Sequence, residues 1–411
     1  MKGSHIFSQI LQRIDWNEFN RIVKKHNGDR NAKGITCRTQ FVMMLFAHIA
    51  GADSLSEICQ SMAMQGGNLN HMGIERIAKK SSLAYANENR PWEMYKEMFE
   101  FLVRSLQPDV SRKSKPRGFK GKLFSIDSTT IDLCLSLFPW AKFHHRKGAV
   151  KIHTLLDHDG LLPVFAKITD GATHDSKAFR AMFHKNPELF PDDCWIAMDR
   201  AYVDYKLFGE MTERNVWFVT RLKSNAVFEK IKNREIPENS GVTSDVEIQL
   251  TSAKGDLCGY LLRKITVWDE KNNREIVLLS NNMKFGATTI ASMYKQRWQV
   301  ELFFKQVKQN IRIKSFVGTS ENAVKIQIYC ALCAIVLLNH LKSFSDSKRD
   351  AKKGQCFSFS NMVVMLRISL FRYVSLDGWL QNPFVPSPYE LQSEADLRSY
   401  LGQHDTGGGG I

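Results

Sequence analysis

The stretch from Leu123 to Leu222 most narrowly limits what this chain can fold into. LFSIDSTTI reads as a strand, and VKIHTLLDHDG and LLPVFAKITDG read as two more, joined at His158-Asp159-Gly160. SKAFRAMFHK has helical spacing, CWIAMD is a short buried strand, DYKLFGEMTER is a second helix and WFVTRL closes the run as a strand. Three strands, then helix, strand, helix and strand, require a mixed sheet with helices packed on it.

That order is the order of a ribonuclease-H-like domain, so the fold class expected is α/β. Residues 1–110 precede it with apolar residues at helical spacing, among them Phe7, Ile10, Leu11 and Ile14, and Phe41, Met44, Leu45, His48 and Ile49. Ser54 with Glu57 three positions on reads as a capping box. The glycines at 66, 67 and 73 lead into Ser81–Arg90, a polar helical segment, which gives two open readings: a helix-turn-helix-like DNA reader or a helical bundle without base contacts. Residues 228–282 are β-rich, and 226–284 are expected as a β-rich subdomain inserted into the core. The expected domains are thus 1–110 helical and DNA-binding, 111–122 a linker, 123–345 catalytic, and 346–411 a C-terminal region ending in the mobile run Gly407–Gly410.

Charge narrows the partner. Fifty-seven Lys and Arg against forty-two Asp and Glu leave +15 over 411 residues, a balance that favours a polyanion. The linker SRKSKPRGFKGK holds six basic residues and no acidic one, among them Lys113, Lys115 and Arg117. It is either a solvated loop or a phosphate-backbone contact, and the overall charge favours the contact. No apolar leader opens the chain, and the unbroken apolar run Ile328–Leu338 falls short of the ~20 residues a span needs, so no membrane partner and a cytoplasmic setting are expected. Eight scattered cysteines fit reduced core positions, and Cys330/Cys333 has no second ligand pair at zinc spacing.

Three acidic residues stand where chemistry would use them. Asp127 follows Leu-Phe-Ser-Ile, Asp199 ends Trp-Ile-Ala-Met, and Glu301 lies in a helix beginning near Thr288. Buried carboxylates need a partner, and three that converge would be relieved by divalent cations with a taste for hard oxygen ligands, Mg2+ or Mn2+. Two such ions can activate a nucleophile and stabilise a leaving oxygen in phosphodiester cleavage. Asp132, Asp193 and Asp204 compete for the same roles.

The helix around Glu301 sharpens the choice. At about 100° per residue, Tyr294, Arg297, Glu301 and Lys308 fall at roughly 0°, 300°, 340° and 320°, and Lys305 and Arg312 at roughly 20° and 0°. Val300, Phe303, Phe304, Val307 and Ile311 occupy the opposite, core-facing side. An ordinary i,i+4 pair between Arg297 and Glu301 accounts for two of these residues. A carboxylate ligand flanked by phosphate clamps accounts for the whole cationic stripe.

Tyr294-x2-Arg297-x3-Glu301-x6-Lys308 resembles, without a gap, the signature of the DDE transposases of bacterial insertion sequences in the IS-four-like branch. The resemblance covers roughly 120–345, with Asp127 in FSIDST as first acid, Asp199 in AMDRAY as second, and a β-rich insertion between Asp199 and Glu301. It implies a cut-and-paste transposase that binds terminal inverted repeats and target DNA as a homodimer in a synaptic complex, with metal-dependent cleavage and strand transfer. Asp127, Asp199 and Glu301 would be the catalytic metal ligands, for two Mg2+ (or Mn2+) ions. Tyr294, Arg297, Trp298, Lys305, Lys308 and Arg312, with Lys113, Lys115 and Arg117, would contact DNA. His174 and Asp175, in a Gly-x2-His-Asp-Ser stretch that resembles a family segment, would surround the ligands. Trp298 could stack on an unpaired base or pack as an ordinary indole. A nuclease without strand transfer and a non-catalytic DNA-binding regulator are the alternative readings.

Overall fold

The computed structural model describes residues 4–30, 32–106, 119–144, 147–236, 238, 240–251, 258–310, 317–348 and 357–384. Helices α1 (Ile6–Leu11), α2 (Trp16–Lys25), α3 (Cys37–Ala50), α4 (Leu55–Ala63), α5 (Lys80–Asn89) and α6 (Trp92–Leu106) come first. Ser54 caps α4 by accepting from the Glu57 amide at 3.1 Å, and the Glu57 carboxylate accepts from the Asp53 amide at 2.9 Å.

The sheet begins with β1 (Leu123–Leu133), β2 (Lys142–His144), β3 (Lys147–Asp157) and β4 (Leu162–Asp170), followed by α7 (Asp175–Lys185), β5 (Trp195–Met198), α8 (Tyr205–Glu213) and β6 (Trp217–Arg221). Strands β7 (Phe228–Asn233), β8 (Val242–Leu250), β9 (Leu262–Asp269) and β10 (Arg274–Ser280) come next. The neighbours run β2-β3-β1-β5-β6-β10-β9-β8-β7, with β4 also on β3. Strand β3 is antiparallel to β1 and β4, whereas β5 is parallel to both β1 and β6.

The β-rich stretch expected as an inserted subdomain is not a separate sheet. Strand β10 pairs antiparallel with β6, Leu278 opposite Arg221 and Ser280 opposite Val219, so β7–β10 prolong the central sheet. The reason is the free edge that β6 would otherwise present; a strand carrying Val277, Leu278 and Leu279 satisfies it and adds to the buried faces. The turn expected at Lys254-Gly255-Asp256 lies outside the described residues, and that at 270–273 is a 3-10 turn closed by Asn273 in the left-handed region (φ 49°).

Alternation assigns the two faces. Phe124 and Ile126 of β1 and Ile196 and Met198 of β5 pack with Phe179, Met182 and Phe208 of α7 and α8. The odd positions face the other way: Leu123, Trp195, Ala197 and Val219 meet Ile290 and Met293 of α9 (Ala287–Gln296), and Ile131 and Leu133 join a core that contains Val300, Phe303 and Val307 of α10 (Trp298–Asn310).

That last core also contains the N-terminal helices, α11 (Glu321–Lys348), α12 (Phe359–Ser369) and α13 (Leu376–Gln381). Helix α11 is long and apolar enough to cross a membrane, yet 89% of its apolar window is buried inside the protein. Ile6 and Phe7 donate backbone hydrogen bonds to Arg372 and Leu370, at 3.1 and 2.8 Å. Helices α1–α6 and α11–α13 thus share one core across the boundaries drawn at 110 and 345.

Candidate active site

Strand register brings the first two acids together. In the parallel pair β1/β5, Ile126 is opposite Met198, so Asp127 and Asp199 follow side by side at the C-terminal ends of the two strands. Adjacent strands lie ~4.8 Å apart. Asp127 is in phase with Leu123 and Ile131 and projects toward α9 and α10, and Asp199 follows Trp195 and Ala197 toward the same side. Glu301 arrives there from the first turn of α10.

Arg297 ties these elements. Its Nη1 lies 3.3 Å from Asp127 Oδ2 and its Nη2 2.5 Å from Glu301 Oε1. Burial opposes the Arg297 charge, but the hydrogen bond to Glu301 and the neighbouring charges carry its pKa above the ordinary arginine value. Burial pushes the Asp127 carboxyl up to about 6, and the charges of Asp199 and Glu301 push the same way, against the Ser128 amide and Arg297. Among the described residues no three acidic, His or Cys side chains converge as a ready metal cage. The donor chemistry nevertheless fits a hard divalent ion: Arg297 already bridges the Asp127 and Glu301 carboxylates, and Asp199 follows Met198 beside Asp127 at the strand ends.

The rival acids are occupied elsewhere. Asp132 is five residues from Asp127 and therefore on the opposite face of β1. Asp204 caps α8 and pairs with Arg180, and Asp193 accepts from the Trp217 indole at 3.1 Å.

The helix carrying the stripe is not continuous. Arg297 sits between α9 and α10, where Arg297 N donates to Tyr294 O (3.0 Å) and Val300 N to Arg297 O (3.2 Å), bonds of 3-10 type. The tighter turn alters the phase, but Val300, Phe303, Phe304 and Val307 are buried as expected. Lys308 donates to the Thr130 carbonyl at 3.0 Å, which fixes α10 on β1. The Tyr294 ring lies 5.9 Å from both the Arg297 and Arg221 guanidinium carbons.

Residues 118–337 match the family model described as the transposase DDE domain. The chain belongs to this family. The transposase also matches a domain of unknown function (DUF4372) over residues 2–75. It is 32% identical over 310 residues to y4zB of Sinorhizobium fredii, described as a transposase, covering 74% of this chain and 83% of that one. It is 30% identical over 254 residues to a Geobacillus stearothermophilus protein described as a transposase for insertion sequence element IS5377, covering 61% and 64%. Among solved structures it resembles the piggyBac transposase synaptic complex with hairpin DNA, at 13% identity and TM-score 0.44, over 95% of this chain and 82% of that one. The protein is thus a DNA transposase, an enzyme of DNA cleavage and strand transfer whose family chemistry depends on divalent metal.

The remaining candidates divide. Trp298 is 57% exposed in the transposase, so it is not a packed core indole, and Lys305 is exposed. Arg312, Lys113, Lys115 and Arg117 lie outside the described residues. His174 is exposed at the start of α7, on the face of the sheet away from Asp127. Asp175 reaches the site through one residue: Ser128 Oγ donates to Asp175 Oδ1 at 2.7 Å while Ser128 N donates to Asp127 Oδ1 at 2.8 Å. Sequence reasoning missed Ser128, together with Lys151 and His153, each 3.5 Å from Asp175. The odd–even alternation of β1 and β3 was the signal that could have found them.

Of the two readings left open for residues 54–90, the helix-turn-helix-like one meets a long connection between its helices. Residues 64–79 separate α4 from α5 and contain two short 3-10 turns, far longer than the ~3–4-residue turn of that motif. Asn87 is buried against Gln40, so the exposed face of α5 is Lys80, Ser81, Tyr85, Glu88 and Asn89.

Proposed function

We propose that this transposase, of the IS-four-like branch, cuts and joins DNA with a ribonuclease-H-like core in which Asp127, Asp199 and Glu301 are the catalytic carboxylates and hold two Mg2+ (or Mn2+) ions. The observation that carries the reading is the β1/β5 register, which sets Asp127 beside Asp199 on the face where Arg297 joins Asp127 to Glu301. The neighbour order β4-β3-β1-β5-β6, with β3 alone antiparallel among the central three, supports the core assignment. Ions held by Asp127, Asp199 and Glu301 would supply activation of the attacking oxygen and stabilisation of the leaving one.

The chain's own residues supply the rest. Ser128 and Asp175 hold the Asp127 carboxylate in one orientation from behind the strand. Arg297, once its carboxylates are otherwise neutralised, is free to turn to a backbone phosphate, with Tyr294 and Lys308 on the same elements. Trp298 offers an exposed ring for an unpaired base, and Lys305 an exposed charge. The helices of 4–106, chiefly α5, would read the terminal inverted repeats, with the basic linker on the backbone and two copies bringing two ends together.

Asp127→Asn, Asp199→Asn and Glu301→Gln test the assignment. Each should abolish cleavage and joining in Mg2+ while specific end binding is retained, since no docking surface is touched. A variant that still cuts at a comparable rate is not altered in a ligand.

A further inference from the structure

A cleft of about 360 Å³ opens where β6 ends, and its lining is strongly basic: Arg200, Arg221, Lys223, Lys264 and Arg274 against one acid, Glu275. Leu222, Ile276, Val277 and Phe228 form its apolar part, and the Lys264 ammonium lies 5.9 Å from the Phe228 ring centre. No ion pair within 4 Å joins Arg200, Arg221, Lys223 or Lys264 to a described residue, although the Arg221 charge acts on Asp269, and the Nε of Arg221 is buried without a hydrogen-bond partner. Arg274 has only a 3.8 Å pairing with Asp269. Five like charges against one lining carboxylate and one long pairing repel one another, so the cleft favours a further anion.

Its position says which. Arg200 directly follows Asp199, and Arg221 lies 5.9 Å from the Tyr294 ring, which lies equally close to Arg297. The cleft therefore adjoins the strand ends that carry Asp199 and Arg221 and reaches onto β9 and β10, the strands added beyond β6; Arg221 and Arg274 line it from the side of α9, and Lys264, in phase with Leu262, from the side of α7 and α8. At the lower end of the ~300–1,000 Å³ range of ligand pockets, it is too small to enclose a duplex and suits the sugar-phosphate edge of one strand.

The geometry points to a second DNA subsite here: the cleft binds the phosphodiester backbone that runs on from the scissile position, and Lys223, Lys264 and Arg274 clamp it. This rests on the proposed catalytic reading. Two sources share that chemistry, the donor DNA flanking the transposon end and the target DNA.

The test uses full-length protein with Lys223→Gln, Lys264→Gln and Arg274→Gln combined, and separately Glu275→Lys. Three duplexes are titrated at several salt concentrations: an end duplex cut flush at the repeat that brackets the gene, the same duplex with flanking DNA, and an unrelated duplex as target. The triple variant should lose roughly ten- to a hundredfold in affinity, with the log–log salt slope shallower by about three. Loss confined to the flanked end assigns the cleft to donor DNA, and loss confined to the unrelated duplex assigns it to target. Glu275→Lys should tighten the same complex severalfold, which decides the matter if the triple variant misfolds. Unchanged affinity and slope on all three duplexes, or saturable binding of inorganic phosphate alone, overturns the proposal. Repeating the titration in the Asp127→Asn background separates the readings, because cleavage can fail there while the cleft's contribution to binding persists.

Discussion

Arg297 and Asp127 are 170 positions apart in the chain and 3.3 Å apart in space. The same guanidinium holds Glu301, so one side chain supplies the positive charge that a cluster of acids requires. At the proposed metal site it would compete with the ion for these carboxylates. Arg297→Ala should tighten Mn2+ binding severalfold in calorimetry without DNA, and lower nicking by about tenfold or more once DNA is present. Normal cleavage with unchanged metal affinity would reduce Arg297 to a helix-surface partner of Glu301.

The raised Asp127 carboxyl costs stability in metal-free protein. Its folded pKa of about 6 lies above the unfolded value near 3.8, so the unfolded state gives up its proton first as pH rises. The penalty is absent below about pH 4, grows up to about 6 and is complete above that. Asp127→Asn should therefore melt higher than the parent at pH 8 in a chelator, by an amount on the order of 1–3 kcal/mol, and equal it near pH 4.

His5 works in the opposite sense. Burial, with the nearby His71, lowers its pKa from 6.5 to about 4, and its Nδ1 accepts from the Ser8 amide at 3.2 Å as the cap of α1. Stability is complete above pH 6.5 and is lost as pH falls toward 4, because the unfolded chain takes up the proton. His5→Asn keeps a capping acceptor and should flatten this acid limb by about 2 kcal/mol, read from denaturant midpoints at pH 4.5 and 7.5.

Between β8 and β9, Arg263 and Asp245 form a bidentate pair with side chains only 3% and 1% exposed. Removing one partner strands a buried charge. Asp245→Ala should cost about 3–5 kcal/mol, whereas replacing both residues by apolar ones of similar volume should cost far less. Thermal unfolding of the single and double variants measures the difference.

How far the sequence carried can be stated residue by residue. Asp127 and Asp199 were legible because each ends an apolar run, and a carboxylate there needs a partner. Glu301 was legible from the stripe on its helix, although the one-residue break at Arg297 left no Gly or Pro to announce it. Asp175 was found from a local motif, but its route to Asp127 through Ser128 depends on which face of β1 each side chain takes. The basic cleft was not legible at all. Arg200, Arg221, Lys264 and Arg274 are gathered by the pairing of β10 with β6, a long-range register that local pattern does not encode. The shared core of α1–α6 and α11–α13 was hidden for the same reason: apolar periodicity says that a face is buried, not against what.

The backbone bonds from Ile6 and Phe7 to Arg372 and Leu370 set a timetable for synthesis. The first helices leave the ribosome long before α11, α12 and α13 exist to receive them, and contacts of such sequence separation form late. The sheet strands through β10 can pair while the tunnel still holds the helices that follow them. Glu301 sits on α10, whose Val300, Phe303 and Val307 belong to that late core. The proposed third carboxylate therefore gains part of its support only once α11, α12 and α13 have been made, although the Lys308 bond to Thr130 already holds α10 on β1 before that.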